Sequence, residues 1–209
     1  MITDQISPVV IIVAGSFTGK SLIANHLANK YLFSGVLSTD MVRNMLCVQT
    51  HDRRIFSMST YRMTTEDLNE QMCSVSNMMG SMIGIYRKRR EKIIFEGMHF
   101  SESFLSSLNN KDCLLIALDN KLSIEDRLNL KKRTTRLGFS PKTEKDKRRI
   151  EEIHHDLLNC CKKNDFHIIE FNDIKVAKRK CESLVEEYLL KLKEKSPQPV
   201  LGMGALSET

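Results

Sequence analysis

Tryptophan is absent and only 6% of the 209 residues are aromatic, so few flat side chains are on hand for stacking bases. Single-stranded nucleic acid remains a conceivable partner but is not favoured. The six cysteines contain no CxxC spacing, and the one close pair, Cys160 and Cys161, is adjacent. That pattern suits neither a zinc site nor a small disulfide scaffold, and it predicts reduced thiols in a cytoplasmic protein. Long apolar runs are also missing. The longest, Val9 to Ala14, is far short of the ~20 residues that cross a bilayer, and no basic stretch precedes it as in a signal peptide. Membrane association is therefore not expected. Acidic residues are in deficit: 26 against 32 basic ones give a net charge of +6, which favours an anionic partner without choosing among nucleotide, phosphorylated metabolite and RNA. The excess is local, with ten basic residues between Arg127 and Arg149 against only Glu144 and Asp146.

What is present is an ordinary globular balance, 41% hydrophobic and 28% charged. One domain over residues 1–195 is expected, followed by an aperiodic segment, 196–209, that reads as a disordered tail. Residues 8–14 (PVVIIVA) form a β-branched run expected to be a strand buried on both faces. Lys20 to Tyr31 has helical spacing, Gly35 to Ser38 reads as a second strand, and Thr39 or Asp40 can cap the helix that follows. Residues 47–64 have no clear period and read as a loop near the substrate. A long helix is predicted from Thr65 to about Arg90, its methionine stripe reading as core. Strands are predicted over Lys92–Phe95, running into Glu96-Gly97, and over Cys113–Leu118 and His167–Phe171. Helices are predicted over Ser123–Arg136, Thr143–Lys163 and Ile174–Leu192. Alternating strands and helices of this kind call for an α/β fold: three layers, α/β/α, around a parallel sheet of about five strands, with a basic helical lid at about 123–150.

The segment Ala14-Gly15-Ser16-Phe17-Thr18-Gly19-Lys20-Ser21 matches a Walker A phosphate loop except at its first position, where Ala14 replaces glycine. A buried strand before it and a helix after it supply the context the motif needs. Main-chain amides from Gly15 to Ser21 would face the phosphates, Lys20 would reach the β- and γ-phosphates, and the Ser21 hydroxyl would meet magnesium. Gly15, beside Ala14, would keep the loop flexible. The Asn120-Lys121-Leu122-Ser123 segment lacks the closing carboxylate of a guanine-recognition motif, and the strand Ile93-Ile94-Phe95-Glu96 lacks the Asp-Glu ending of motor and transporter ATPases.

A small-molecule kinase fits better. Such an enzyme needs a carboxylate on the acceptor hydroxyl and cations around the transferring group. Asp40, at a strand-to-helix junction, is the candidate carboxylate, and Arg43 three residues on could hold an anionic group of the acceptor. The alternative makes Asp40 a helix cap and Arg43 a surface residue. Glu96 ends the strand beside the loop and could hold a magnesium-bound water, or a structural hydrogen bond. His99 just beyond it is open between substrate contact and a structural role. Arg127, Arg133 and Arg136 read either as a lid closing over ATP or as a solvated cationic face.

These residues resemble the archaeal 2-phosphoglycerate kinase family, with wider kinship to zeta-toxin-like and other P-loop metabolite kinases. The resemblance runs from the phosphate loop through Leu37-Ser38-Thr39-Asp40 and Arg43 to Ser59-Thr60-Tyr61, Gln71, Phe95-Glu96-Gly97-Met98-His99, Arg127 and Arg133, over most of residues 9–172. It implies ATP- and Mg2+-dependent phosphorylation of a small phosphorylated or carboxylated acid. Lys20, Asp40 and Arg133 would be catalytic, and Asp40, Arg43, Ser59, Tyr61, Glu96, His99 and Arg136 would bind substrate. Gly15 to Ser21 with Arg127 and Arg133 would hold ATP, and Ser21 and Glu96 the metal. Ala14 and Phe17 depart from the family, which has glycine at both places. An RNA or nucleotide-end kinase and a non-catalytic nucleotide-binding module are the competing readings.

Overall fold

A computed structural model of the chain describes residues 7–50, 53–108, 113–134, 141 and 143–195. The elements run β1 (Val9–Val13), α1 (Lys20–Tyr31), β2 (Gly35–Ser38), α2 (Thr39–Thr50), α3 (Arg53–Phe56), a 3-10 turn (Thr60–Arg62) and α4 (Thr65–Arg89). They continue as β3 (Ile93–Gly97), α5 (Glu102–Ser107), β4 (Leu114–Asn120), α6 (Ile124–Thr134), α7 (Glu144–Lys163), β5 (His167–Phe171) and α8 (Ile174–Lys195). All five strands are parallel, in the order β2-β3-β1-β4-β5.

β1 is the centre of the sheet, and every residue in it is buried. Its alternation splits the core in two. Val9, Ile11 and Val13 face a layer made by α2 to α5 and α7, with Phe95, Val75, Met79 and Leu105 fully buried there. Val10 and Ile12 face α1 and α8, against Ile23, Leu27, Ala177, Cys181 and Val185. Each such side chain stabilises the fold by about 1.5–3 kcal/mol through burial. The predicted three-layer α/β/α architecture with five parallel strands is therefore what the chain adopts. The thiols of Cys161 and Cys181 lie inside it, and burial pushes both up to about 12, which leaves them inert as nucleophiles. No described helix is long and apolar enough to cross a membrane.

Several expectations need correction. Residues 47–64 are not one loop: α2 continues to Thr50, then α3 and the 3-10 turn follow. Ile55, Phe56 and Met63 are buried and anchor this stretch to α2 and α4, a tertiary reward that no sequence period announces. The short helix α5 was not foreseen, although Ser101 caps it by accepting the Phe104 N–H. The helix α2 is capped by neither Thr39 nor Asp40. Ser38 Oγ accepts the Asp40 N–H at 3.1 Å, and Thr39 is turned inward. The predicted tail, 196–209, and residues 135–140 of the predicted lid lie outside the described residues.

The end of β3 meets the start of α2 with no room to spare: a Cβ on Gly97 would lie 1.8 Å from Thr39 Oγ1. A Gly97→Ala substitution should therefore destabilise the protein by about 1–3 kcal/mol, or more if Thr39 cannot move. Urea unfolding measures this, and a midpoint equal to the unsubstituted chain would contradict the packing described here.

Candidate active site

The phosphate loop leaves the C-terminal end of β1 between β3 and β4. Ala14 N–H donates to Gly97 O at 3.0 Å, tying the start of the loop to β3. Ala14 does not have a positive φ, so its methyl group is tolerated at the position where the Walker A pattern has glycine. Phe17 does not: its φ is 63° and Gly19 follows at 90°. A left-handed phenylalanine costs ~1–2 kcal/mol. Its ring offsets this by packing on Ile124, Leu128 and Ile150 of α6 and α7. Thr18 Oγ1 donates to Gly15 O at 3.0 Å, closing the turn. The Gly19 carbonyl accepts from the Leu22 and Ile23 amides, both at 3.1 Å, so the amides ahead of them stand at the open end of α1 without an intrahelical acceptor. No acid occupies the first turn of α1, and its positive end is left for an anion.

Beside this loop Ser21 Oγ donates to Glu96 Oε1 at 2.9 Å. Glu96 is buried, and its other oxygen, Oε2, has no hydrogen-bond partner among the described residues. A hydroxyl and a carboxylate with a spare buried oxygen, at the mouth of a phosphate loop, fit magnesium, which takes few protein ligands and completes its shell with phosphate and water. Elsewhere among the described residues no cluster of three or more His, Cys, Asp or Glu could hold a metal.

Across the loop, Asp40 begins α2 with its side chain 57% exposed, 3.6 Å from Arg43 Nε and 3.9 Å from His99 Nδ1. Burial of the carboxyl works to raise its pKa. The charge of His99, which the ring carries only at acid pH, and those of Lys20 and Arg43 outweigh that and hold it below the ordinary carboxylate value. The Lys20 ammonium therefore acts on Asp40 across the cleft. His99 has no exposed surface. Thr39 Oγ1 lies 3.0 Å from its Nδ1 and Thr60 Oγ1 3.4 Å from its Nε2. Burial pulls the ring down to about 4, so it is neutral at physiological pH. His99 thus lies behind Asp40, with Thr39 and Thr60 closing over the ring.

The remaining expected residues divide. Arg43 points inward, donating Nη1–H to Phe56 O. Ser59 starts the 3-10 turn, its carbonyl accepting the Arg62 N–H at 2.8 Å. Tyr61 spends part of its ring on Ile124, Leu128 and Ile150. Arg127 is not an open lid arginine: it is buried, paired with Glu151, with Nε and Nη1 lacking partners among the described residues. Arg133 lies on α6, and Arg136 falls outside the described residues. Three residues close to the site were missed. Thr39 and Thr60 stand inside segments that carry the resemblance but were given no role of their own, because that role depends on where His99 sits. Asp119, by contrast, ends an apolar strand just as Glu96 does, a signal that was there to be read.

No protein-family model matches this chain, and no curated protein sequence matches it. Solved structures do. A shikimate kinase from Acinetobacter baumannii in complex with shikimate superposes with a TM-score of 0.52 at 15% identity, covering 91% of this chain and 96% of that one. A gluconokinase from Sinorhizobium meliloti 1021 gives 0.50 at 13% identity, covering 92% and 95%. The chain shares the fold of these two kinases. At these identities the likeness is one of fold, so the chemistry has to be argued from the cleft itself.

Both buried histidines near the cleft are held neutral, His154 also being pulled to about 4 by burial first and by the Arg127 charge second. Unfolding releases each ring to an ordinary value near 6.5, where it binds protons more readily. Stability should thus be full above about pH 6.5 and fall as the pH drops toward 4, by at most about 1.4 kcal/mol per pH unit for each ring. Urea midpoints at pH 7.5, 6 and 5 give the slope. A flat profile would mean that neither ring is held neutral in the folded protein.

Proposed function

We propose that this chain is a magnesium-dependent kinase that moves the γ-phosphoryl group of ATP to the hydroxyl of a small phosphorylated or carboxylated metabolite, in the manner of 2-phosphoglycerate kinases. The observation that carries this reading is Asp40: an exposed carboxylate, kept ionised by its neighbours, set against the lysine of a phosphate loop at the same edge of the sheet. A nucleotide-binding module with no chemistry to perform has no need of that pairing.

In the proposed reaction the loop amides and Lys20 hold the β- and γ-phosphates. Asp40 accepts a hydrogen bond from the acceptor hydroxyl and aligns its oxygen with the γ-phosphorus. As the new P–O bond forms, the bond from the γ-phosphorus to the bridging oxygen breaks, ADP leaves with the electron pair, and the hydroxyl proton passes to Asp40. Ser21 and Glu96 would hold Mg2+, which when bound offsets negative charge on the β- and γ-oxygens. His99, neutral and fixed by Thr39 and Thr60, positions Asp40 without competing for its proton. Arg43 is the cation nearest to Asp40, and an anionic substituent on the acceptor would be drawn to it in exchange for the Phe56 carbonyl. Arg133 and Arg136 would supply positive charge on the nucleotide side, with Ser59 and Tyr61 at the acceptor side.

Lys20→Ala should abolish turnover. Asp40→Asn should lower kcat by about 10²–10⁴-fold while leaving the KM for ATP nearly unchanged. ADP release with ATP, Mg2+ and a panel of phosphorylated acids, sugar acids, nucleosides and RNA ends measures both. Turnover on RNA ends alone, falling steeply with added salt, would point instead to a nucleic-acid kinase. Wild-type rates in both variants would remove the catalytic assignment.

A further inference from the structure

The longest side of the phosphate loop is held by a helix that comes from the other end of the chain. Gly15 N–H donates to His154 Nδ1 at 3.2 Å across 139 residues of sequence. The ring sits directly on this glycine: a Cβ at position 15 would lie 2.8 Å from His154 Cβ and 3.0 Å from both Cγ and Nδ1. Gly15 does not have a positive φ, so the position is glycine for space and not for backbone freedom. This corrects the expectation that it keeps the loop flexible.

An imidazole that accepts at Nδ1 must carry its proton on Nε2. That nitrogen faces Asp119 Oδ1 at 3.6 Å, and Asp119 is fixed in turn by Lys121 Nζ at 2.6 Å. The ring is buried and neutral, as acceptance from an amide requires. Ile150, one helical turn before His154 on the same face of α7, belongs with Ile124 and Leu128 to the apolar cluster on which Phe17 packs. One stripe of α7 thus bears on the loop at two places: at Gly15 through a hydrogen bond, and at the left-handed Phe17 through that cluster. Gly15 is held on its carbonyl side as well, by Thr18 Oγ1.

We propose that His154 is a positioning residue for the phosphate loop: by holding the Gly15 amide it presets the loop conformation in which the following amides grip the triphosphate. The inference rests on the reading of this loop as a nucleotide site. Removing a buried acceptor leaves the amide unsatisfied, which costs free energy. If that cost falls on the loop, it appears as weaker nucleotide binding, because disorder must be removed again when the ligand arrives.

The test is calorimetric titration of the full chain, with Mg2+ and a non-hydrolysable ATP analogue, on variants that keep or lose an acceptor. His154→Asn places a carbonyl oxygen near the position of Nδ1, while His154→Leu and His154→Met keep bulk without an acceptor. His154→Asn should bind within about threefold of the unsubstituted chain, and the other two about tenfold or more weaker, a loss that matches ~1.4 kcal/mol. In turnover the same loss should appear in the KM for ATP and not in the KM for the acceptor. Equal binding in all variants, or equal loss in all, would overturn the proposal. Should neither acceptor-free variant fold, hydrogen exchange decides: the Gly15 amide in the unliganded, unsubstituted chain must be protected like the amides of β1, and free exchange there refutes the latch. An unsubstituted chain that binds no nucleotide would defeat the kinase reading, and the exchange result would still stand on its own.

Discussion

Burial of β1 on both faces is the constraint from which the rest follows, because a strand with no solvent face can end in only one productive way. Its backbone amides and carbonyls are used on both edges by β3 and β4, and its side chains are shared between two cores. The chain therefore emerges from the sheet at a fixed place and in a fixed direction, with α1 immediately behind it. Whatever anion the loop holds is set against the ends of β3 and β4, and those ends carry Glu96 and Asp119.

Around that exit the polar groups form two connected sets. One joins Ser21 to Glu96 and leaves a buried carboxylate oxygen without a partner, an expensive arrangement in a low-dielectric interior unless a cation or water satisfies it. The other joins Thr39, Thr60 and His99 behind Asp40, keeping a neutral ring beside an ionised carboxylate. Separation of the two suits phosphoryl transfer, in which charge on the leaving phosphates and the proton of the attacking hydroxyl have to be handled on opposite sides of one phosphorus. Helices α6 and α7 close the third side. They do so as packed helices whose residues Ile124, Leu128 and Ile150 form one small apolar patch, on which Phe17 of the phosphate loop and Tyr61 of the 3-10 turn both pack.

Much of this was legible beforehand because it is local. The run Val9 to Val13, the loop up to Ser21, and the pairing of strand ends with Asp40 and Glu96 each follow from periodicity, turn chemistry or motif spacing within a few residues. The bounds of α1, β2 and β5 were readable for the same reason. Residues 50–64 were not, since α3 and the 3-10 turn exist only because Ile55, Phe56 and Met63 find a core contributed by α2 and α4. Arg127 misled for a related reason: a basic helix reads as solvated, and its burial against Glu151 is visible only once α6 lies on α7.

The amino-acid sequence alone determined that a loop with Walker A spacing follows a central strand, since strand, turn and helix start are dictated by neighbours along the chain. Tertiary structure alone decided that His99 is hidden behind Asp40 and that His154 rests on Gly15. Those outcomes depend on contacts between residues tens to more than a hundred positions apart, and packing in three dimensions, unlike periodicity, leaves no trace in the spacing of residues.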